Sequence, residues 1–349
     1  MAYTTIDDPS AYFQTTLYTG NGSTQSITND GNSDLQPDFV WIKERNNAVD
    51  HQLQNSTRGV TKTLQSNQNY GESTLTDIIT SFNSDGFSLG NNPTWNGSSD
   101  TYVAWQWKAN GGTTSSNTDG SITSTVQANT TAGFSIVTWD GNTTSGATVG
   151  HGLSVAPHYV QVKRIDRDGD AWRGFWEPLG NEKYLELNAT DAQQDSTTGA
   201  WNDTSPTSSV FSLGSAAGIN GGNMVTYCFA PIQGYSKIGS YTGNGNADGP
   251  FIYTGFKPAW VMIKKSGSGT AAHWRISDST RSTFNPADHQ LSPSSNGAEF
   301  NENDMDLLSN GFKIRQSNTY ANESGVQFVY MAFAESPFVS SEGVPTTAR

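Results

Sequence analysis

The chain has 349 residues, of which 34% are hydrophobic and only 15% charged, with a formal net charge of −13 and a single cysteine, Cys228. That balance excludes a surface built to track nucleic-acid phosphates, which needs clustered Lys and Arg, and one cysteine excludes an intrachain disulfide or a cysteine zinc site. No apolar run reaches membrane-spanning length, and an aromatic content of 11%, with ten Trp, is foreign to a disordered chain.

The remainder is rich in Gly, Asn, Ser and Thr, the composition of short strands joined by many turns, so the expected fold class is all-β. The opening "MAYTTIDDPS" has neither the basic nor the apolar region of a secretory signal, which fits synthesis in a cytoplasm. "YTGNG" at 18–22 reads as the end of a strand followed by a Gly-rich turn, and it returns at 241–245 and, blurred, as "WDGNT" at 139–143. Three further landmarks follow each copy in one order. A Pro-led strand ends in Lys at 37–43, 157–163 and 258–264. A Phe-led strand follows at 86–90, 210–214 and 311–315, and an aromatic strand closes the set at 102–109, 224–231 and 328–335.

This spacing of roughly 100 to 120 residues is too long for a solenoid repeat and suits a whole β-sandwich. The expectation is three tandem related β-sandwich domains of jelly-roll or lectin-like type, produced by internal triplication. They occupy residues 1–110, 134–232 and 233–349, with a polar small-residue linker at 111–133 in which Ile122 and Val126 allow a short edge strand. In "PDFVWIK" both alternating faces are largely apolar, so the strand is expected to be covered on both sides. Helical turns are expected only at 74–83 and 302–311.

Candidate chemistry is sparse. Asp166, Asp168, Asp170 and Glu177 stand at positions 1, 3, 5 and 12 of an EF-hand-like loop and are the candidate calcium ligands; Ala171 takes the place of the turn glycine, and the alternative is a plain hairpin turn. Calcium aside, no cofactor is expected. Trp95 and Trp201 lie on no repeated strand and are the candidate sugar-stacking platforms. His51 and His273 are each followed by Ser-Thr-Arg, without the strand-to-helix nucleophile turn that a catalytic triad of this kind uses, and Arg58 and Arg281 are expected to brace loops. A glycosidase needs two facing carboxylates, and the acid-rich 299–306 reads as a solvated loop or helix start, so no enzyme is expected.

The segments "YVAWQWKANGG", "DGSITSTVQANTTAGFSIVTW", "GYSKIGSYTGNGNADGPFIYTGFKPAWVMIK" and "VYMAFAESPF" resemble a repeat family of marine bacteriophage virion proteins, of tail or fibre type, with lectin-like β-sandwich domains. The resemblance covers nearly the whole chain and brings no catalytic motif with it. It implies a non-enzymatic virion structural protein, assembled in the host cytoplasm and exposed on the particle, that helps in host adsorption. The implied partners are other virion proteins, copies of itself and a host-surface glycan, with no nucleic acid and no membrane insertion. The alternatives are a capsid decoration protein, a glycan-binding module and a tailspike-type depolymerase.

Overall fold

The apolar alternation of the Pro-led strands sets the architecture, and the all-β expectation holds. In the computed structural model, which describes residues 3–196, 199–269 and 271–347, antiparallel strands form six sheets. Helix among the described residues is limited to one four-residue α turn and two short 3-10 turns.

The sheets associate in three pairs. In the first main sheet the strands Phe13–Thr19, Thr101–Trp107, Phe39–Glu44 and Gln52–Asn55 lie side by side in that order. The second main sheet places Phe134–Asn142, Gly221–Phe229, Tyr159–Arg164 and Arg173–Trp176 in the same order, and the third does so with Ser236–Thr242, Gln327–Pro337, Phe256–Lys265 and Arg275–Asp278. The register repeats as well: Phe39 pairs with Trp107, Tyr159 with Phe229, and Trp260 with Phe333. Each main sheet, of six, eight and four strands, is covered by a second sheet of three, two and four strands respectively.

Two-sided burial of the Pro-led strands follows from this layering. Val40 and Ile42 enter an apolar cluster inside the first pair; Val160 and Val162 do so in the second, and Val261 and Ile263 in the third. Their alternates, Phe39 and Trp41, Tyr159, and Trp260 and Met262, all enter one cluster shared by the three pairs. A buried side chain of this size stabilises by about 1.5–3 kcal/mol, so the shared cluster holds the three pairs together as one body. At its centre the three register-matched rings Trp107, Phe229 and Phe333 meet edge to face, with centroids 5.7–6.2 Å apart.

Three expectations change. Residues 111–133 are no free linker: Ser115–Asn117 and Ser124–Asn129 are strands of the second main sheet, and the buried Gln127 accepts the backbone N–H groups of Asn110 and Gly112. The helical turns give way to the strands Ile79–Phe82 and Phe300–Leu308, because strand pairing within the covering sheets outweighs a weak local helical pattern. Pro258 does not start its strand. It sits within Phe256–Lys265 at a register shift, where a residue without an N–H is tolerated.

Candidate functional site

Neither indole expected at the surface is there. Trp95 belongs to the inner cluster of the first pair and Trp201 to that of the second, 7% and 2% exposed. Trp201 donates Nε1–H to the Lys183 carbonyl at 3.0 Å and meets Phe175 edge to face. The sequence pattern misled because a loop Trp can fold back over the open end of a sandwich and bury its ring there.

The four candidate calcium ligands do not converge. Asp166 pairs with Arg164 at 2.6 Å and Asp170 with Arg167 at 2.6 Å, while Asp168 accepts the backbone N–H of Gly71 at 2.7 Å. Glu177 belongs to a 3-10 turn beyond the strand Arg173–Trp176. Among the described residues no group of three or more His, Cys, Asp or Glu is arranged to hold a metal ion. The loop is a seam instead: its carboxylates serve arginines and the neighbouring sheet pair.

That seam has two counterparts. Trp172 donates Nε1–H to the Gln65 carbonyl (2.9 Å), joining the second pair to the first, and Trp274 donates to the Glu186 carbonyl (3.0 Å), joining the third to the second. His51 completes the circuit between the first pair and the third. Its Nδ1 accepts from Trp41 Nε1 (2.8 Å), which places the ring hydrogen on Nε2, and Nε2–H donates to the Ser292 carbonyl (3.0 Å). Burial first, then Lys43, lowers the His51 pKa to about 3, so it works as a neutral donor in the manner of an indole. A second circuit is wholly backbone: Glu72 N–H to Ile165 O, Gln193 N–H to Ser266 O, and Glu299 N–H to Arg45 O, at 2.7–2.9 Å.

The lysines that end the Pro-led strands stand behind these seams. Lys43, Lys163 and Lys264 are fully buried. Lys163 donates to Asn69 O of the first pair and Asp170 O of its own; Lys264 donates to Thr190 O of the second and Ala272 O of its own. Burial lowers the pKa of Lys43 and Lys163 to about 8 and of Lys264 to about 7. Carbonyls take every hydrogen bond drawn from the ammonium of Lys163 and Lys264, so these lysines seal seams.

One polar cluster is not consumed in this way. Strand Arg275–Asp278 delivers Arg275 between two rings, with its guanidinium carbon 4.5 Å from the centroid of Phe300 and 4.2 Å from that of Tyr320. From strand Phe300–Leu308, Glu302 binds the Tyr320 hydroxyl and lies 3.5 Å from Arg275 Nη1. Two residues on, Asp304 is fully buried and accepts one bond from Asn318 Nδ2 at 3.2 Å. Burial, opposed by Arg275 and reinforced by Glu302, raises its pKa to about 6. Among the described residues, Arg275 Nε, Glu302 Oε2 and Asp304 Oδ2 are buried and make no hydrogen bond, Oε2 being the oxygen that faces Arg275 Nη1 in the ion pair. A cleft of about 280 Å³ opens beside them, lined by His273, Arg275, Ser292, Ser295, Phe300 and Glu302 among others. Sequence reasoning set 299–306 aside as a solvated loop or helix start; the available signal was the alternating Glu302-x-Asp304 flanked by Phe300 and Met305, a strand spelling.

The remaining sequence candidates are structural in their contacts. Arg281 is buried and bonds the Ile276 carbonyl, Asp278 and Glu299, and Arg58 pairs with Glu72. His273 shares a 2.9 Å hydrogen bond with Ser294 Oγ at the cleft mouth.

The chain belongs to the family defined by a domain of unknown function (DUF7483), whose family model matches residues 8–337. No curated protein and no solved structure matches it. No helix among the described residues is long and apolar enough to cross a membrane.

Proposed function

We propose that this protein is a non-enzymatic structural component of a bacteriophage virion, tail- or fibre-associated and exposed on the particle, built from three copies of one β-sandwich that close on each other within a single chain. The observation that carries the reading is the closed circuit of seams, in which Trp172, Trp274 and His51 each reach the carbonyl of the preceding pair. Head-to-tail contacts that close after three steps are the geometry of a cyclic trimer, and the common strand order and register support an origin by triplication. Virion assembly is governed by symmetry, and a chain with three matched outer faces suits a partner with a threefold axis. The phage context itself rests on the sequence resemblance.

The same closure favours, as the second placement, a decoration protein seated on a threefold position of the capsid exterior. Quantitative mass spectrometry of purified particles tests both. A few copies per particle supports the tail, and a number matching the capsid lattice supports decoration. Absence of the chain from purified particles would sink the virion reading.

A further inference from the structure

We infer that the cleft between the edge of strand Phe13–Thr19 and the residues Ser279 and Thr280 of the third pair is a docking groove for an extended segment of a partner protein. The segment joins the first main sheet as an added strand and carries a glutamine side chain into the cleft.

Three matched edges differ in what covers them. Strands Phe13–Thr19, Phe134–Asn142 and Ser236–Thr242 hold the same place in their main sheets, since Phe13, Phe134 and Ser236 face Trp107, Phe229 and Phe333. Beyond Phe134–Asn142 the second sheet continues with Ser124–Asn129, whereas the other two strands are terminal among the described strands. Antiparallel neighbours alternate between hydrogen-bonded and non-bonded residue pairs. Lys108 N–H donates to Tyr12 O and Gly20 N–H to Asp100 O, so Gln14, Thr16 and Tyr18 are the residues bonded to Thr101–Trp107. Phe13, Thr15 and Leu17 therefore turn their N–H and C=O groups outward.

The junction between the second pair and the first shows what such an edge receives. Gln127 pairs with Ile136, and its Nε2 donates to Ser56 Oγ and Thr57 Oγ1 of the first pair, each at 2.9 Å. Register places Thr15 where Ile136 stands, facing Trp105 as Ile136 faces Tyr227. It also places Ser279 and Thr280 where Ser56 and Thr57 stand, because Asn55 faces Phe39 as Asp278 faces Trp260. The backbone agrees: Ser56 N–H donates to Asp38 O at 2.8 Å, and Ser279 N–H to Ala259 O at 2.7 Å. Thr15, Ser279 and Thr280 line one cleft of about 190 Å³. It is the counterpart of the space that Gln127 fills one junction away. In the remaining junction the 3-10 turn Glu177–Leu179 packs against Ser236–Thr242 and takes that space.

The walls select the occupant. A row of outward N–H and C=O groups is met at matching spacing by another β-strand, and not by a sugar or an ion. Hydroxyls at Thr15, Ser279 and Thr280 suit a neutral amide, as Ser56 and Thr57 suit Gln127. The lining also holds the exposed Asp30 and Glu335, the latter paired with Lys257 at 2.7 Å, and both repel an acidic segment. Gln14 fixes the loop at 30–32 that completes the lining, accepting Gly31 N–H at 2.9 Å and donating to Ser33 O at 2.8 Å. A preorganised groove lowers the ordering cost of binding.

Fluorescence polarisation on the full chain tests this, with the labelled peptide SITSTVQANTT, the sequence of residues 121–131, as the probe. The expected result is saturable binding that weakens about tenfold when glutamate replaces the peptide glutamine, which loses its donor and gains a charge. Thr15→Pro removes an outward N–H, a change that an edge strand tolerates, and Thr280→Ala removes one hydroxyl from the groove. Each should weaken binding about fivefold with the thermal midpoint little changed. Ser240→Pro makes the same change on the terminal strand of the third main sheet and should leave binding as it is. If Thr15→Pro unfolds, Thr280→Ala and the glutamate peptide still decide the matter. Absence of binding at millimolar peptide, or binding that survives both groove variants, overturns the assignment. A concentration-dependent dimer that Thr15→Pro abolishes also overturns it, and gives the edge to a second copy of the chain.

Discussion

Trp172 and Gln65 meet across the seam between the second and first sheet pairs, the indole Nε1–H 2.9 Å from the backbone carbonyl. The ring is fully buried, so no water replaces the donor if it is removed. Trp172→Phe keeps most of the apolar volume and deletes the hydrogen bond, leaving the half-buried Gln65 carbonyl with the N–H of Gln68 as its partner. The expected loss is about 0.5–1.5 kcal/mol of unfolding free energy, read from urea denaturation. Trp274→Phe should cost a similar amount, since Glu186 O accepts from it in the same way at 3.0 Å. Loss of one seam that left the thermal midpoint untouched would contradict the view that the three pairs hold one another.

A second expectation concerns alkaline pH. Lys264 has its folded pKa lowered by burial to about 7, against an ordinary value of 10.5. The unfolded chain therefore binds more protons between these values, and stability rises with pH across that window. It is fully present above 10.5 and lost as pH falls through about 7. Between pH 6 and pH 10 the wild type should gain up to about 4 kcal/mol relative to Lys264→Met, whose side chain cannot titrate. Parallel denaturation curves of the two proteins at both pH values measure this; equal pH slopes would mean that the ammonium is well solvated.

The buried Asp304 carboxylate gives the opposite sign. The folded pKa of Asp304, raised by burial to about 6 from 3.8, means that the folded chain holds the proton more tightly than the unfolded one. Its contribution is favourable below 3.8 and is lost as pH rises through about 6, so at pH 7 the charge is a burden of roughly 3 kcal/mol. Asp304→Asn should accordingly stabilise the protein at pH 7 by an amount of that order and by little at pH 4. A variant less stable than wild type at pH 7 would show that the carboxylate earns its place in the fold.

How far the sequence could be read depended on whether a feature is local or arises from closure. The Pro-led strands were legible because Val40 and Ile42 alternate with Phe39 and Trp41, and both faces are apolar. The function of that second face was not, since it packs against strands more than a hundred residues away. Lys43, Lys163 and Lys264 were visible as repeated letters, yet Lys163 and Lys264 reach carbonyls of loops that no linear pattern connects to them, whereas Lys43 donates to the nearby Glu44 and Asn47 carbonyls. Trp95 and Trp201 were misplaced for the same reason: a ring outside any repeated strand carries no mark of which core will cover it. Glu302 and Asp304 were passed over because a two-residue alternation in an acid-rich stretch is weak evidence of a strand until its partners are known.

The turn after the early strand of each main sheet allows a last test. Gly22 and Gly245 both take φ of +68° and donate their N–H to the carbonyls of Asn96 (2.8 Å) and Asn322 (2.9 Å). In the second pair the residue that donates to the matching carbonyl, Asn220 O at 2.6 Å, is Thr143, a β-branched residue held at φ +58°. The left-handed region costs an L-residue about 1–2 kcal/mol, whereas glycine enters it freely but loses roughly 0.5–1 kcal/mol of chain entropy. Thr143→Gly should therefore stabilise by about 0.5–1 kcal/mol. The reverse change, Gly22→Thr, should destabilise by about 0.5–1 kcal/mol for conformational reasons alone, since a Cβ there meets Ser98 Cβ at an ordinary 3.5 Å. Urea midpoints of the two variants decide the matter. If both changes lower stability, the Thr143 hydroxyl bond to Asn142 O (2.7 Å) outweighs the strain, and the three turns are not interchangeable.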